Sequence, residues 1–452
     1  MRPHVGAGTS FVLSLLLLSV RAIDLDVGNA DSIKSAAKTL SGEIIQDYYA
    51  NSTNSPIGVG IFGSPYYWWE AGAVWDSLVG YWFLTGDGQY NNLVSQALLA
   101  QIGPNNNYMP PNQTKTEGND DQSTWGLAAL SAAEYSFPSP LSNELQWIDL
   151  AKAVIDAQVP RWDTSTCAGG LRWQIFTFNS GYNYKNSLSA ANFFLLAARL
   201  AQFTGNQTYA DLAVEQYNWM ESVGLISETF QVFDGTDVTA NCTRLNRLQW
   251  TNNAGAFLYG SAVMYNLTNA SDQWRDRVTG FLNATSIFFA NASIIYEPAC
   301  EPNGRCDVDQ QAFKGLFARQ LGRTVVSAPF TAGNILPLLK SSAEAAARSC
   351  SGGPKGVSCG QKWYTSEGYD GVTGLGETLS AFEVIQANLV LYGQSLAASN
   401  ATHSPSVTST PLASGTNTTP SATSGKSGAG CMKSTKLKIW VVWNEREEYR
   451  IP

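Results

Sequence analysis

Apolar residues recur at helical spacing in twelve segments between residues 23 and 395, and almost nothing in that stretch alternates as a strand does. Loops rich in Gly, Asn and Pro separate these segments. The segments run over 31–49, 69–85, 88–101, 121–136, 144–158, 187–204, 207–222, 250–266, 271–290, 308–325, 330–349 and 376–396. The pattern predicts an all-α fold built from twelve helices.

A short internal repeat indicates how the helices are paired. The sequence from Phe83 to Tyr90 recurs between Gln202 and Tyr209, and a weaker copy begins at Thr268. In each copy a Gly or Asn can take the left-handed conformation that ends one helix, and a nearby Asp, Asn or Ser can cap the next. Six such hairpins that close into a ring form an (α/α)6 barrel. Its long loops, which would lie opposite the short turns and carry the functional site, are 50–68, 102–120, 159–186, 225–249, 291–307 and 350–375.

The two ends of the chain differ in composition from this helical part. An apolar run over 11–20, followed by small residues at Val20 and Ala22, is typical of a signal peptide, 1–22, cleaved before Ile23. Residues 396–452 begin with a stretch rich in Ser, Thr, Ala, Gly and Pro that cannot form a core, and they end in a short charged segment. We therefore expect a secreted protein with one helical domain, 23–395, and a disordered, O-glycosylated stalk, without a transmembrane helix.

Ten Asn-x-Ser/Thr sequons and seven cysteines agree with secretion. Close spacing pairs Cys300 with Cys306 and Cys350 with Cys359, which leaves Cys167 and Cys242 for a longer disulfide and Cys431 left over. The chain has no CxxC or HxxxH spacing and only two histidines, so we expect no metal and no other cofactor. The sequon asparagines are Asn51, Asn112, Asn206, Asn241, Asn266, Asn269, Asn283, Asn291, Asn400 and Asn417.

Net charge and aromatic content indicate the kind of ligand. The formal charge is −8 and the isoelectric point is about 5.0, with no long basic run, which argues against nucleic acid or an anionic membrane surface as the partner. The chain has 14 Trp, 19 Tyr and 19 Phe, several of them beside polar residues in the expected loops. Because aromatic faces stack against carbohydrate rings, a neutral glycan polymer fits this composition better.

Two adjacent carboxylates, Asp120 and Asp121, lie where a polar loop turns into an apolar helix. Cleavage of a glycosidic bond needs such a pair, with one carboxylate ionised and the other holding a proton for the departing oxygen. The alternative is helix capping, since an acid at a helix N-terminus satisfies free N–H groups. Both can hold, because the helix dipole also keeps a nucleophilic carboxylate ionised. Its neighbour would then have a pKa raised by like-charge repulsion and by aromatic cover from Trp125.

Further candidate residues lie in or beside the long loops. Glu70 is near a helix start and Asp234 is in a turn signal, and each has a purely structural alternative. Arg172 and Lys185 can bind sugar hydroxyls or pair with acids, and the sequence does not separate these uses. The aromatic candidates for sugar stacking are Trp68, Trp69, Trp173, Tyr182, Tyr184 and Trp250.

Five motifs in order resemble those of one enzyme family, glycoside hydrolase family 76, in particular its fungal cell-wall members. The motifs are Tyr67–Ala73, Asn119–Gln122, Gly169–Gln174, Gly181–Asn186 and Phe233–Gly235, and the similarity covers 23–395. The resemblance implies an (α/α)6 barrel that acts with retention on α-1,6-mannan, with Asp120 as nucleophile and Asp121 as acid/base. It also implies a role in attaching GPI-linked proteins to the wall, with mannan or a GPI glycan as substrate and a β-glucan as acceptor. We expect a monomer.

The C-terminus departs from the family pattern. Fungal members end in a small-residue site, a spacer and an apolar tail that directs a GPI anchor. Here the small residues of 424–430 precede Lys433, Asn444 and Glu445, and the apolar run 439–443 is too short for such a tail. We therefore expect this chain to be released without an anchor, although its relatives are expected at the membrane and wall.

Two functions of other classes compete with a glycosidase. An isoprenoid enzyme would need a second, spaced acid to hold Mg²⁺ and diphosphate, and Asn119–Ser123 supplies none. A wall protein that binds glycan on the same barrel without cleaving it is the stronger alternative. Replacement of Asp120 separates it from an enzyme.

Overall fold

The computed structural model describes residues 23–52, 58–113, 115–138, 145–291 and 293–392, with side chains in the first range only to Ala50. The expected signal peptide, the stalk and Cys431 therefore lie outside the described residues, as do Asn400, Asn417 and the side chain of Asn51. None of the helices in the described part is both long and apolar enough to cross a membrane.

The described residues form twelve α-helices and seven short strands. The helices are α1 (Ala30–Ser52), α2 (Trp68–Thr85), α3 (Asn91–Ala100), α4 (Asn119–Glu134), α5 (Trp147–Gln158), α6 (Ser187–Thr204), α7 (Gln207–Ser222), α8 (Thr251–Leu267), α9 (Asp272–Ala284), α10 (Val308–Ser327), α11 (Ala332–Ser349) and α12 (Leu375–Ala387). The strands are β1 (Tyr184–Asn186), β2 (Gly235–Asp237), β3 (Leu245–Asn246), β4 (Phe289–Ala290), β5 (Ile294–Ile295), β6 (Cys350–Gly352) and β7 (Ser358–Cys359). All pair antiparallel, as β1-β2-β3, β4-β5 and β6-β7.

Ten of the twelve expected helices agree with the observed ones to within three residues at each end. The helix expected over 376–396 is shorter, since α12 ends at Ala387 and a 3-10 helix follows over Asn388–Tyr392. The other difference lies in the segment expected over 271–290. There α9 ends at Ala284, a 3-10 turn covers Thr285–Phe288, and β4 follows. The hydroxyl of Thr285 donates to the backbone oxygen of Leu282 at 2.7 Å, and Ala290 pairs with Ile294 across a hairpin. Local hydrogen bonds of this kind compete with the helix.

The even-numbered helices form an inner ring. Each packs against the next, from α2 through α4, α6, α8 and α10 to α12, and α12 returns to α2. The odd-numbered helices pack outside this ring against their even-numbered neighbours. Fifteen of the 17 residues of α8 are buried, against four of the 13 residues of α9, because an inner helix is covered on all sides. This two-layered arrangement of mostly helical structure agrees with the expected barrel.

Short turns follow the inner helices, and long loops lead into them. Residues 86–90, 205–206, 268–271 and 328–331 make four of the short connections, whereas 159–186, 223–250 and 350–374 are long. Gly86 and Gly205, with φ of 76° and 70°, end α2 and α6 in the left-handed conformation expected from the internal repeat. All long loops therefore reach the end of the barrel at which the inner helices begin.

Buried ion pairs join the inner helices to one another. Arg319 of α10 contacts Asp76 of α2 and lies 2.7 Å from Glu383 of α12, and Arg323 of α10 lies 3.5 Å from Asp76. Burial raises the pKa of Asp76, but these two arginines outweigh it and hold that pKa below its usual range. The ion pairs therefore hold α2, α10 and α12 together where the ring closes.

A second pair closes the other side of the ring. Arg199 of α6 lies 2.8 Å from Glu134 of α4, and its guanidinium also donates to Ser131 at 2.9 Å. Ser131 in turn accepts a hydrogen bond from Arg323 at 3.2 Å. The two groups of ion pairs thus share one hydroxyl, and together they connect five of the six inner helices.

Replacing Asp76 with Ala should lower the free energy of unfolding by about 3–5 kcal/mol, because it leaves the buried guanidinium of Arg323 without its paired carboxylate and Arg319 with only Glu383. Equilibrium urea unfolding followed by tryptophan fluorescence measures the change. Lys38→Ala is the control, since the Lys38–Asp87 pair is exposed and contributes about 0–1 kcal/mol. Equal midpoints for the two variants would show that the buried pair does not hold the ring.

Candidate active site

The two adjacent aspartates lie in the first turn of α4, whose first residue is Asn119. Asp120 is 5% exposed, and Asp121 is partly exposed. The first turn of an inner helix is the point where the long loops meet the barrel. The structure therefore places the pair at the end of the barrel where the sequence predicted a site.

Both carboxylate oxygens of Asp120 accept a hydrogen bond. The side-chain amide of Asn186 donates to Oδ2 at 2.7 Å, and the backbone N–H of Asp121 donates to Oδ1 at 3.0 Å. Asn186 is itself held as the N-cap of α6, where its oxygen accepts from the N–H of Ser189 at 3.3 Å. Burial, and then the charge of Asp121, raise the pKa of Asp120 well above its usual range.

Asp121 has a capping bond as well as its position beside Asp120. Its Oδ2 accepts a hydrogen bond from the N–H of Gly118 at 2.6 Å, the contact expected of a helix cap. Burial raises the pKa of Asp121 to about 6, the Gly118 N–H lowers it, and the charge of Asp309 raises it. Because the two carboxyl groups are adjacent and both pKa values are raised, the pair takes up a proton at a higher pH than isolated aspartates do.

Gly118 allows the pair to sit this close to the neighbouring loop. A Cβ atom at this position would lie 2.2 Å from Oδ1 of Asp120 and 3.1 Å from the ring of Trp173. The N–H of Asn119 donates to the backbone oxygen of Trp173 at 2.8 Å, so the loop 159–186 is tied to the start of α4. Trp173, which is 38% exposed, therefore lies beside the aspartates.

Three more carboxylic acids occupy the first turns of α2, α10 and α12. Asp309 accepts a hydrogen bond from the indole N–H of Trp69 at 2.7 Å, and burial raises its pKa to about 6. Glu70 and Glu377 are fully buried, and burial raises their pKa values to about 9 and about 7. One oxygen of Glu70 and both oxygens of Glu377 have no hydrogen-bond partner within the described structure. These acids make the site able to hold protons near neutral pH.

Asp234 is a hub of hydrogen bonds and not only a turn residue. It accepts from the indole N–H of Trp250 at 2.7 Å, from the hydroxyl of Tyr184 at 2.5 Å and from the amide of Asn246 at 2.9 Å. Burial and the carboxylate of Asp234 raise the pKa of Tyr184. The hub holds β1 and β3 to the start of α8, and it fixes two of the aromatic candidates.

The prediction that Lys185 contacts substrate is wrong, and the structure selects the alternative of pairing with an acid. Lys185 is fully buried, donates to the backbone oxygens of Thr166 and Gly169, and lies 3.3 Å from Asp163. Arg172 lies 2.7 Å from the same carboxylate and 4.4 Å from the ring of Tyr182. By pairing with Asp163, these two cations hold the loop 159–186 together.

The prediction that Trp125 covers the site is also wrong. Its side chain is fully buried and stacks between Trp68 and Tyr108, with ring centroids 5.0 and 5.5 Å away. A Cβ added to Gly72 of α2 would lie 3.0 Å from the Trp125 ring, so the indole packs against that helix. Five residues after Asp120, the chain has turned this side chain toward α2, where Trp68 of that helix and Tyr108 of the loop 102–120 cover it.

Three disulfides hold the loops around the site. Cys167–Cys242 links the loop 159–186 to the loop 223–250, while Cys300–Cys306 and Cys350–Cys359 close short loops before α10 and α12. These are the pairs expected from the spacing. In the described ranges, no group of three or more His, Cys, Asp or Glu side chains is arranged to hold a metal ion.

Asn186 and Asp309 were missed by sequence reasoning. Asn186 had a readable signal, because an Asn before an apolar helix with a free N–H three residues on is an N-cap. Asp309 follows a second acid, Asp307, which is the N-cap of α10, so its pattern reads as capping alone. Only the closed ring brings it near α4.

A pair of neighbouring carboxyl groups with raised pKa values, set beside an exposed aromatic ring at the loop end of a helical barrel, is the arrangement expected of a two-carboxylate glycosidase. The model of glycosyl hydrolase family 76 matches residues 32–400. The chain therefore belongs to this family and is a glycosidase.

Named relatives and solved structures agree with this assignment. A putative mannan endo-1,6-alpha-mannosidase of Schizosaccharomyces pombe is 47% identical over 84% of this chain and 85% of the relative. The mannan endo-1,6-alpha-mannosidase DCW1 of Saccharomyces cerevisiae is 46% identical over 80% of each chain. The crystal structure of Dfg5 from Chaetomium thermophilum in complex with glucosamine is 40% identical, with a TM-score of 0.76 over 81% of this chain and 92% of that one.

A bacterial structure shares the fold at lower identity. It is an inactive variant of an α-1,6-mannanase of Salegentibacter, with two consecutive aspartates replaced by asparagine, in complex with α-1,6-mannotriose. It is 17% identical, with a TM-score of 0.64 over 79% of this chain and 99% of that one.

Replacing Gly118 with Ala should lower glycosidase turnover by about 100-fold, because the new methyl group displaces the carboxylate of Asp120. Turnover and the thermal unfolding midpoint measure activity and fold separately. The matched control is Gly333→Ala, where an added Cβ meets open space. Unchanged turnover in Gly118→Ala would mean that the position of Asp120 does not matter for the reaction.

Proposed function

We propose that this protein cleaves α-1,6-mannosidic linkages within mannan or GPI glycans of the fungal wall, with retention, and passes the mannosyl unit to water or to another sugar hydroxyl. The eight curated relatives are 43–47% identical and are all named mannan endo-1,6-alpha-mannosidases, two of them putatively. The bacterial mannanase is inactive when two consecutive aspartates are replaced. This chain has one such pair, Asp120 and Asp121.

The hydrogen bonds of Asp120 support its role as nucleophile and carry the proposal. Both of its oxygens accept N–H donors, and it lies at a helix N-terminus, and these favour its carboxylate form against the burial that raises its pKa. When Asp121 holds a proton, the like charge that also raises the pKa of Asp120 is gone. Asp121 accepts its only hydrogen bond from the described residues at Oδ2, which leaves Oδ1 free to protonate a leaving group. A pKa near 6 keeps the proton of Asp121 in place at mildly acidic pH.

The reaction then takes two steps. In the first, the carboxylate of Asp120 attacks C1 of a mannose, the C1–O bond to the next sugar breaks, and Asp121 gives its proton to the departing oxygen. In the second, Asp121 removes a proton from water or from an acceptor hydroxyl, whose oxygen attacks C1 and releases Asp120. Hydrolysis and transfer differ only in the acceptor.

Asp120→Asn and Asp121→Asn should each lower turnover of α-1,6-mannan by at least about 10²–10⁴-fold, because each removes a charge or proton needed in the transition state. Asp149→Asn is the matched control. Asp149 caps α5 through the N–H of Gln146 at 3.0 Å, as Asp121 caps α4, and it lies outside the candidate site. Turnover near wild type in either site variant, or equal loss in the control, would contradict the assignment.

Azide distinguishes the two roles on an activated aryl α-mannoside. With Asp120→Ala, azide replaces the nucleophile and should give the β-mannosyl azide. With Asp121→Ala, azide attacks the covalent intermediate and should give the α-mannosyl azide. The reverse pattern would exchange the roles of the two residues.

Product analysis decides between the possible outcomes of the reaction. The purified protein is incubated with α-1,6-mannan oligosaccharides, with and without a β-glucan acceptor, and the first-formed products are followed by NMR. Retention predicts an α-anomer, and a new mannosyl-glucan product would show transfer. Binding of the oligosaccharides without any product would favour the glycan-binding alternative.

Asp309→Asn should move the alkaline limb of the kcat/KM profile to lower pH. Asp121 must be protonated to act as an acid, and the negative charge of Asp309 helps to raise its pKa. Asp309 has a pKa of about 6, so its charge is present where Asp121 loses its proton, and removing it stabilises the Asp121 carboxylate. Asp272→Asn, on an exposed outer-helix position, is the control. A limb that stays in place in Asp309→Asn would show that this charge does not act on the acid.

We also propose that the protein is a secreted, N-glycosylated monomer. Seven of the ten sequon asparagines have exposed side chains, as glycosylation requires. They are Asn112, Asn206, Asn241, Asn266, Asn269, Asn283 and Asn291.

A further inference from the structure

Two phenylalanines in the loop 159–186 form a stacked pair, of which Phe178 is exposed and Phe176 half-buried. Phe178 is 68% exposed, and its ring is nearly parallel to that of Phe176, with centroids 5.4 Å apart and planes inclined by 10°. Single exposed apolar residues are common on protein surfaces. A large ring held in a fixed orientation by a second ring is a different case, because it offers a preformed apolar face to a ligand.

Hydrogen bonds fix the turn that carries this pair. The side-chain amide of Asn179 donates to the backbone oxygen of Lys115 and to Oε1 of Gln174, both at 2.9 Å. The backbone N–H of Asn179 donates to the backbone oxygen of Phe176 at 3.1 Å. The backbone oxygen of Asn179 accepts from the backbone N–H of Tyr182. A ligand that stacks on Phe178 therefore meets a surface that is already ordered.

The same turn is continuous with the catalytic pair. Gln174 and Gly118 face each other in a β-bridge, and Gly118 is two residues before Asp120. Asn179 reaches Lys115 of the same segment, so the turn runs alongside the residues that lead into α4. Trp173, which is exposed beside Asp120, comes three residues before Phe176 in the same loop.

We propose that Phe176 and Phe178 form a distal sugar-binding subsite that stacks one pyranose ring of the mannan chain whose cleavage occurs at Asp120 and Asp121. The C–H face of a pyranose matches the area of one phenyl ring. The patch is too small for a stable protein interface, which buries on the order of 1,000 Å² or more. Phenyl rings offer no hydrogen bonds, so the subsite would favour long chains without selecting individual hydroxyls. This inference rests on the proposed function.

The test compares kcat/KM on α-1,6-mannotriose and on long α-1,6-mannooligosaccharides. Phe178→Ala should lower kcat/KM on the long chains by about tenfold and leave mannotriose cleavage close to wild type. Phe178→Trp should keep the preference for long chains, because it preserves an aromatic face. Phe203→Ala is the control, since Phe203 is 43% exposed at the far end of α6 and should change neither rate.

The outcomes separate the subsite from the function on which it depends. The subsite alone would be overturned if the wild-type enzyme cleaves long chains and Phe178→Ala either matches the wild type or is impaired to the same degree on every chain length. Wild-type protein that cleaves no α-1,6-mannooligosaccharide of any length would overturn the proposed function and the subsite with it. Loss confined to long chains and restored by Phe178→Trp is the result that supports the subsite.

Discussion

Buried ion pairs between inner helices are the interaction on which the rest of the structure depends. An inner helix is covered on all sides, so apolar contacts alone would allow it to slide or rotate with little change in buried area. Arg319 meets both Asp76 and Glu383, and Arg199 meets Glu134, so a shift of one helical turn, about 5.4 Å, would break each pair. With the register fixed, the first turns of the inner helices meet at one end of the barrel, where the site is assembled.

That end of the barrel balances two opposing effects on carboxylates. Helix N-termini favour negative charge, whereas burial disfavours it. For Asp121, Asp309 and Glu377 the outcome is a pKa of about 6 to about 7. The only histidines of the chain, His4 and His403, lie outside the helical domain. In the helical domain, acid–base chemistry near neutral pH therefore falls to carboxylic acids. Burial in the fold raises their pKa values into the range in which a histidine titrates without such help.

Much of the fold could be predicted because it rests on local signals. Helical periodicity and the glycines at 86 and 205 act within one or two turns, so they can be read directly. The disulfides followed from spacing. The site was only partly accessible: Asp120 and Asp121 are neighbours in sequence, whereas Asp309 approaches them only when the ring closes. Lys185 and Trp125 were misjudged because a residue beside a loop can face the interior, and its direction depends on packing that the sequence does not display.

The disulfide between Cys167 and Cys242 makes the mouth of the barrel dependent on its redox surroundings. The helical rings are held by apolar burial and ion pairs, which need no oxidant. The loops that carry Trp173 and Asp234 are joined through this one covalent bond, and the loop it closes spans 75 residues. A chain kept in a reducing compartment would therefore retain a barrel with a loosened rim. Full order of the loops at this end of the barrel therefore depends on an oxidising environment, in which disulfides form and persist.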